Sequence, residues 1–217
     1  MQRFTVRHFA VRATALLLAT ASLSACAPLV LGTAVGGAFM ATDRRTSGMQ
    51  LEDQTIQLKA RNRALDVLGD RGHLNVNAYN RLVLLTGEVP TEADRDAVGQ
   101  AVARTENVTA VVNELAVSLN SSLSSRASDV ALATKVRATL VDARDLLSNA
   151  FDIVVERGEV YLMGMVTERE ANRAAELVST IQGVRKVVKV FQIISEDELA
   201  RKLPRPAPVS NGNSTAP

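Results

Sequence analysis

The body of this chain is one unit written twice, and that constrains its fold more than any other feature. Leu84-Leu85-Thr86-Gly87-Glu88-Val89 matches Tyr161-Leu162-Met163-Gly164-Met165-Val166 at an offset of 77 residues. Beyond Pro90 the offset becomes 76, aligning Thr91-Glu92 with Thr167-Glu168, Asn107-Val108 with Gly183-Val184, and Val111-Val112-Asn113 with Val187-Val188-Lys189. Upstream, Ile56, Ala60 and Ala64 fall opposite Leu132, Val136 and Leu140 at the same spacing. Self-similarity at a fixed period marks a repeated structural unit, here of roughly 65 residues, at 53–119 and again at 128–194. A unit that short has a marginal core by itself, so the two copies are expected to lean on each other.

Each copy reads in the same order. An amphipathic helix comes first, its buried stripe marked in the second copy by Leu132, Val136, Leu140 and Ala143. Two β-rich runs follow, Phe151 to Glu156 and Val160 to Val166, joined by Arg157-Gly158 as a tight hairpin. Their counterparts are Leu74 to Ala78 and Arg81 to Val89, with Asn80 in the turn. Thr167-x-x-Glu170 is a capping-box sequence opening a second helix, and Thr91-x-x-Asp94 is a looser version. A last strand, Val184 to Ile194 or Val108 to Leu119, closes the unit. The expected fold class is α+β: two tandem α-β-β-α-β domains, each with two helices packed on one face of a three-stranded sheet. Residues 120–127, rich in serine, read as a linker, and 195–217, where four of the chain's six prolines stand, as a disordered tail.

The N-terminus reads as an export signal over residues 1–25. Arg3, Arg7 and Arg12 precede an apolar run from Ala13 to Leu23, too short for the ~20 residues that span a bilayer. The run ends in Leu23-Ser24-Ala25-Cys26, which resembles a bacterial lipobox: an aliphatic residue, two small ones, then the cysteine to be acylated. Cys26 is the only cysteine, so the chain has no internal disulfide. Residues 26–52 are then a lipidated N-terminus and tether, apolar from Pro28 to Met40 and polar from Thr42.

Removing the signal changes the charge argument. The whole chain carries 25 Lys plus Arg against 23 Asp plus Glu, but the discarded segment takes three arginines and no acid. The remainder holds 22 basic against 23 acidic residues, a formal balance of −1. No global field draws such a chain to phosphates, and any attraction to anionic lipid must be local. Aromatics make up 3%, too few for a base-stacking platform, so nucleic acid is excluded as a partner.

The hairpin, the Leu-x-Gly-x-Val strand, the capped helix and the Gly-Val-x-x-Val strand together resemble the BON domain. Leu162-Met163-Gly164-Met165-Val166-Thr167-Glu168-Arg169-Glu170-Ala171, with the segment from Ala41 to Asp53, is similar to the dual BON-domain outer-membrane lipoprotein family of the DolP (YraP) type. Signal, lipobox, tether and two domains fall in the same order, so the resemblance covers nearly the whole chain. It implies a lipid-anchored protein on the periplasmic face of the outer membrane; Ala27 is not the aspartate that retains many lipoproteins in the inner membrane. It implies no enzyme and no cofactor, but binding of anionic phospholipid and support of outer-membrane integrity, with lipid contact chiefly through the first helix of the second domain. Relatives carry an aromatic near the start of that helix, where this chain has Ala131. The alternative from another class is a protein-docking accessory factor in envelope or outer-membrane protein assembly.

The residues agree with a binding protein. On the 128–144 helix Val130, Thr134, Arg137 and Val141 form a stripe roughly opposite Leu132 and Val136, with Ala131 beside it. A face mixing apolar and basic side chains can press onto an anionic bilayer. It can equally be a solvated face whose two valines pack on the other domain. For catalysis the mature chain offers one histidine, His73, read as plain polar surface in a turn beside Gly72. One His and one acylated Cys make no metal cluster, and neither a nucleophile elbow nor a phosphate loop is present. Glu168 and Glu170 read as charges complementing a helix N-terminus, Lys135 as surface, and Arg185, Lys186 and Lys189 as a solvated strand edge. The anchoring claim has its own test, fractionation of a Cys26→Ala protein. It should be soluble or unprocessed, and a correctly cleaved Cys26→Ala form that stays on the membrane would contradict lipidation at Cys26.

Overall fold

The computed structural model describes residues 43–202. The signal segment, Cys26, the tether up to Thr42 and the tail from Leu203 lie outside the described residues, and no described helix is long and apolar enough to cross a membrane. In the first unit, helix α1 (Ser47–Leu68) precedes strands β1 (His73–Tyr79) and β2 (Leu82–Val89), helix α2 (Glu92–Ala103), and two short strands, β3 (Ala110–Asn113) and β4 (Ala116–Val117). The second unit repeats the order with α3 (Leu123–Asp142), β5 (Phe151–Glu156), β6 (Glu159–Val166), α4 (Glu168–Ser179) and β7 (Lys186–Ile193). A last helix, α5 (Glu196–Lys202), follows.

Both sheets are mixed. β1 runs antiparallel to β2, and β3 and β4 run parallel to it; β5 is antiparallel and β7 parallel to β6. The hairpin turns carry positive φ at both central residues, 49° and 68° at Asn80-Arg81 and 56° and 74° at Arg157-Gly158. That pair of values defines the turn whose twist matches flanking strands. One carboxylate from the preceding helix holds each turn. Asp53 accepts from the amides of Asn80 (2.7 Å) and Arg81 (2.9 Å), and Asp129 from those of Arg157 and Gly158, both at 2.9 Å. Asp53 and Asp129 stand at the repeat offset of 76, so the clamp is part of the duplicated unit.

Gly87 and Gly164 are structural, as their place within strands suggests. A Cβ on Gly87 would lie 2.1 Å from the His73 carbonyl oxygen, and one on Gly164 would lie 2.3 Å from that of Ala150. The backbones approach too closely for any side chain. Asn107 has φ 65°, the left-handed value that Gly183 supplies in the second copy at 105°. Both lie three residues past the helix C-caps, Arg104 and Thr180, instead of at them.

Several sequence boundaries move. α1 begins at Ser47, inside the segment assigned to the tether, because the Thr46 hydroxyl accepts from the Met49 amide at 3.2 Å. α3 begins at Leu123, inside the assigned linker, because Ser122 caps it by accepting from Ser125 at 3.1 Å. Serine is thus a helix start here, not a sign of flexibility. Residues 196–202, placed in the disordered tail, form α5 and bury Leu199. The first unit's final strand breaks in two at Asn113, whose Nδ2 donates to the Arg95 carbonyl (2.9 Å) and whose Oδ1 accepts from the Leu115 amide (3.3 Å).

The helices of each unit cover one face of its sheet, and the other faces of the two sheets cover each other. Val83, Leu85 and Val89 of β2 join α1 and α2 in the first core; Val160, Leu162 and Val166 of β6 join α3 and α4 in the second. The alternate residues build a third core between the units: Tyr79, Leu84, Tyr161, Met163, Met165 and Val190, closed by Ile194 and Leu199. The result is a four-layer stack with sheets inside and helices outside.

A strap of three residues ahead of α1 ties the units together. Arg44 reaches into the second unit, where it makes a bidentate pair with Glu170 (2.7 Å twice) and donates to the Met165 carbonyl at 2.8 Å. Arg45 pairs with Asp43 and Asp53, each at 2.8 Å, and its guanidinium lies 3.9 Å from the centre of the Tyr79 ring. The same Glu170 completes the capping box with Thr167. Burial raises the Glu170 carboxyl, but the Arg44 hydrogen bonds and charge and the Thr167 amide outweigh it and hold it below the ordinary value.

A group whose pKa falls on folding contributes stability above its unfolded value and loses it as pH falls through the folded one. Arg44→Ala leaves a buried carboxylate without its countercharge, which costs about 3 kcal/mol at neutral pH. In urea unfolding the gap between wild type and Arg44→Ala should shrink as pH drops below the carboxylate range. A gap absent at neutral pH, or unchanged in acid, would contradict the strap.

Candidate membrane-facing site

α3 carries two faces. Asp129, Leu132, Val136 and Leu140 are buried, with Asp129 holding the hairpin turn and the other three packed in the second core. Turning about 100° per residue puts Val130, Thr134, Arg137 and Val141 on a line across the helix. The structure leaves all four exposed, with Ala131 exposed beside them. Val130 is 69% exposed and Val141 62%, so the valines do not pack on the other domain. Thr134 donates its hydroxyl to the Val130 carbonyl at 3.0 Å. Arg137 forms no ion pair among the described residues and borders a shallow depression with Asp43, Arg45 and Asp152.

The stripe is longer than the sequence suggests. Leu123 falls seven residues before Val130 and on the same line, and it is 83% exposed; Leu119, just ahead of the helix, is 93% exposed. Starting the helix at 128 hid Leu123, and the cap signal Ser122-x-x-Ser125 could have exposed it. Five side chains on one line, Leu123, Val130, Thr134, Arg137 and Val141, thus face outward where a buried helix face would have none.

A cleft runs along the flank of this face. It is lined by Ala131 and Lys135 of α3, by Arg157 and Arg185, and by the carboxylates of Glu88 and Asp129. Arg157 donates to the Ser118 hydroxyl at 2.9 Å, and Arg185 to the Arg157 carbonyl at 3.4 Å. Lys135 and Arg185 are therefore more than scattered surface: folding brings them to one cleft beside Ala131. Lys186 and Lys189 behave as a solvated strand edge, one near Glu159 and Glu114, the other bonded to Asn172.

His73 is not an isolated turn residue. It opens β1, opposite Glu88 in the strand register, and its Nδ1 lies 3.4 Å from Glu88 Oε2. Glu156 of β5 completes a group of three at the inter-domain interface. The expectation that no such group could form counted only His and Cys and left out carboxylates brought from another strand. Glu168 is exposed in the first turn of α4, as its helix-terminal reading requires, whereas Glu170 is buried and bound to Arg44.

Comparison with known proteins agrees with this architecture. The sequence profile described as "BON domain" matches residues 52–118 and 128–195. The chain is 38% identical over 183 residues to the outer membrane lipoprotein DolP of Haemophilus influenzae, covering 82% of this chain and 94% of that protein. It is 29% identical over 154 residues to the 21 kDa hemolysin of Actinobacillus pleuropneumoniae, covering 70% and 79% respectively. Among solved structures, the C-terminal domain of CdsD, a structural protein of the type III secretion system of Chlamydia trachomatis, aligns at 12% identity over 64% of this chain and 99% of that one, with a TM-score of 0.28. That score is too low to bear on the fold. Two profile matches at the two repeats, with a relative aligned across almost its whole length, place the chain in the BON-domain family as a dual BON-domain outer-membrane lipoprotein of the DolP type.

Proposed function

We propose that this lipoprotein binds anionic phospholipid through the outer face of α3 and thereby supports outer-membrane integrity, without enzymatic activity. The observation that carries the reading is the exposed line of Leu123, Val130, Arg137 and Val141 on the outside of the second domain. Apolar side chains on such a line enter the headgroup boundary, and each basic residue near an anionic surface adds about 1 kcal/mol. Lys135 and Arg185 add basic side chains at the flanking cleft, where the carboxylates of Glu88 and Asp129 are engaged by backbone amides. An acyl anchor at Cys26 would keep this face near a membrane, so weak contact by the helix suffices.

A separate observation favours docking of a protein. Leu51, Leu58 and Leu65 of α1 recur every seven residues and are all exposed, an apolar line on the outer face of the first domain.

Co-sedimentation with liposomes tests the lipid reading, using the chain from Ala27 so that no acyl chain contributes. Binding should require anionic lipid, and Arg137→Glu, which exchanges one favourable charge for an unfavourable one, should weaken it by about 10- to 30-fold. Ala131→Trp should strengthen it, because an indole favours the interface. Binding indifferent to lipid charge, or unchanged by Arg137→Glu, would remove the site from this helix.

A further inference from the structure

The polar end of the inter-domain interface holds a cluster that nothing above uses. β1 and β2 present a cross-strand pair, His73 opposite Glu88, and the neighbouring pair, Asn75 opposite Thr86, on the same face. Glu156 arrives from β5 of the second domain and accepts from Asn75 Nδ2 at 2.7 Å. Donor atoms of His73, Glu88 and Glu156 all lie within 4.8 Å of one another. Glu88 is 1% exposed and Glu156 5%.

These carboxylates are poorly compensated for their depth. Among the described residues neither forms an ion pair with a lysine or arginine: His73 lies beside Glu88, while Arg157, next to Glu156 in the chain, donates to Ser118 instead. Glu88 Oε2 accepts from the Ser121 amide at 3.1 Å, while Glu88 Oε1, His73 Nδ1 and Thr86 Oγ1 are buried with no hydrogen-bond partner. Buried polar atoms are almost always satisfied, and a buried carboxylate costs several kcal/mol unless something balances it. Burial pushes the Glu156 carboxyl up, and the charge of Glu88 pushes it the same way. The strands fix two carboxylates side by side, and a cation bound between them would balance both.

We propose that His73, Glu88 and Glu156 form a divalent transition-metal site that clasps the two BON domains. One imidazole and two carboxylates are a ligand set for zinc-class ions; magnesium and calcium favour oxygen donors alone. Ligands about 2.1 Å from a tetrahedral ion stand about 3.4 Å apart, so atoms lying within 4.8 Å of one another need close by at most about 1.4 Å, within reach of side-chain rotation. The ion takes the lone pairs left unused on Glu88 Oε1 and His73 Nδ1. Because Glu156 belongs to the second domain and the other two ligands to the first, binding couples directly to domain apposition.

The full-length acylated protein in detergent, stripped with a chelator, provides the test by zinc titration in calorimetry and thermal unfolding. One zinc ion per chain should bind and raise the melting temperature, whereas magnesium should do neither. His73→Ala and Glu156→Gln should each weaken zinc binding at least about tenfold. Glu156→Gln removes a buried charge, so its metal-free form should melt no lower than the wild type, which separates loss of the site from loss of the fold. Absence of a zinc-dependent shift, an equal shift with magnesium, or zinc affinity unchanged in both variants would overturn the proposal.

Discussion

Everything else in this protein depends on burying the central strand of each sheet on both faces. In β2, Val83, Leu85 and Val89 meet the helices while Leu84 meets the other domain; in β6, Val160, Leu162 and Val166 are answered by Tyr161, Met163 and Met165. A sheet with helices on one side only would leave that second set in water. At roughly 1.5 to 3 kcal/mol for each large apolar side chain removed from solvent, the third core rivals the total stability of a small domain. Two units that are marginal apart thus become one body, whose outer surfaces are helical and free to face partners.

Polar contacts set how that body is registered. Asp53 and Asp129 fix the hairpins from the helix side, so each helix is keyed to its own sheet by two charge-assisted bonds. Arg44 and Arg45 then key the two units together, one guanidinium held in the second domain by Glu170 and the other stacked on Tyr79 of the first. Burial, with the nearby Asp43 charge, outweighs the opposing pull of Arg45 and pushes the Tyr79 phenol up to about 12, so it stays neutral at the interface.

Much of this was legible in the sequence, for identifiable reasons. The duplication fixed the element order because the same hydrophobic spacing occurs twice, and Asn80 and Arg157-Gly158 marked the hairpins because few residues accept positive φ in a turn. Val130, Thr134, Arg137 and Val141 share a face because helical periodicity dictates it, with Ala131 beside them, and folding leaves all five exposed. What the sequence hid depended on long-range pairing. Arg44 finds Glu170 across 126 residues, and Glu156 finds Asn75 across 81. No local pattern encodes such partners. The near-continuous apolar runs of β2 and β6 were a legible sign of two-sided burial, since a half-exposed strand alternates. The serines before α3 misled because the same residue serves both linker and helix cap.

The two domains lock through their sheets, which leaves the outer face of α3 exposed. Differential scanning calorimetry of the full chain tests the lock directly. The account predicts one transition whose van't Hoff enthalpy equals the calorimetric enthalpy, because neither sheet keeps its second face covered once the other unfolds. Two separate transitions, one for each BON domain, would contradict it.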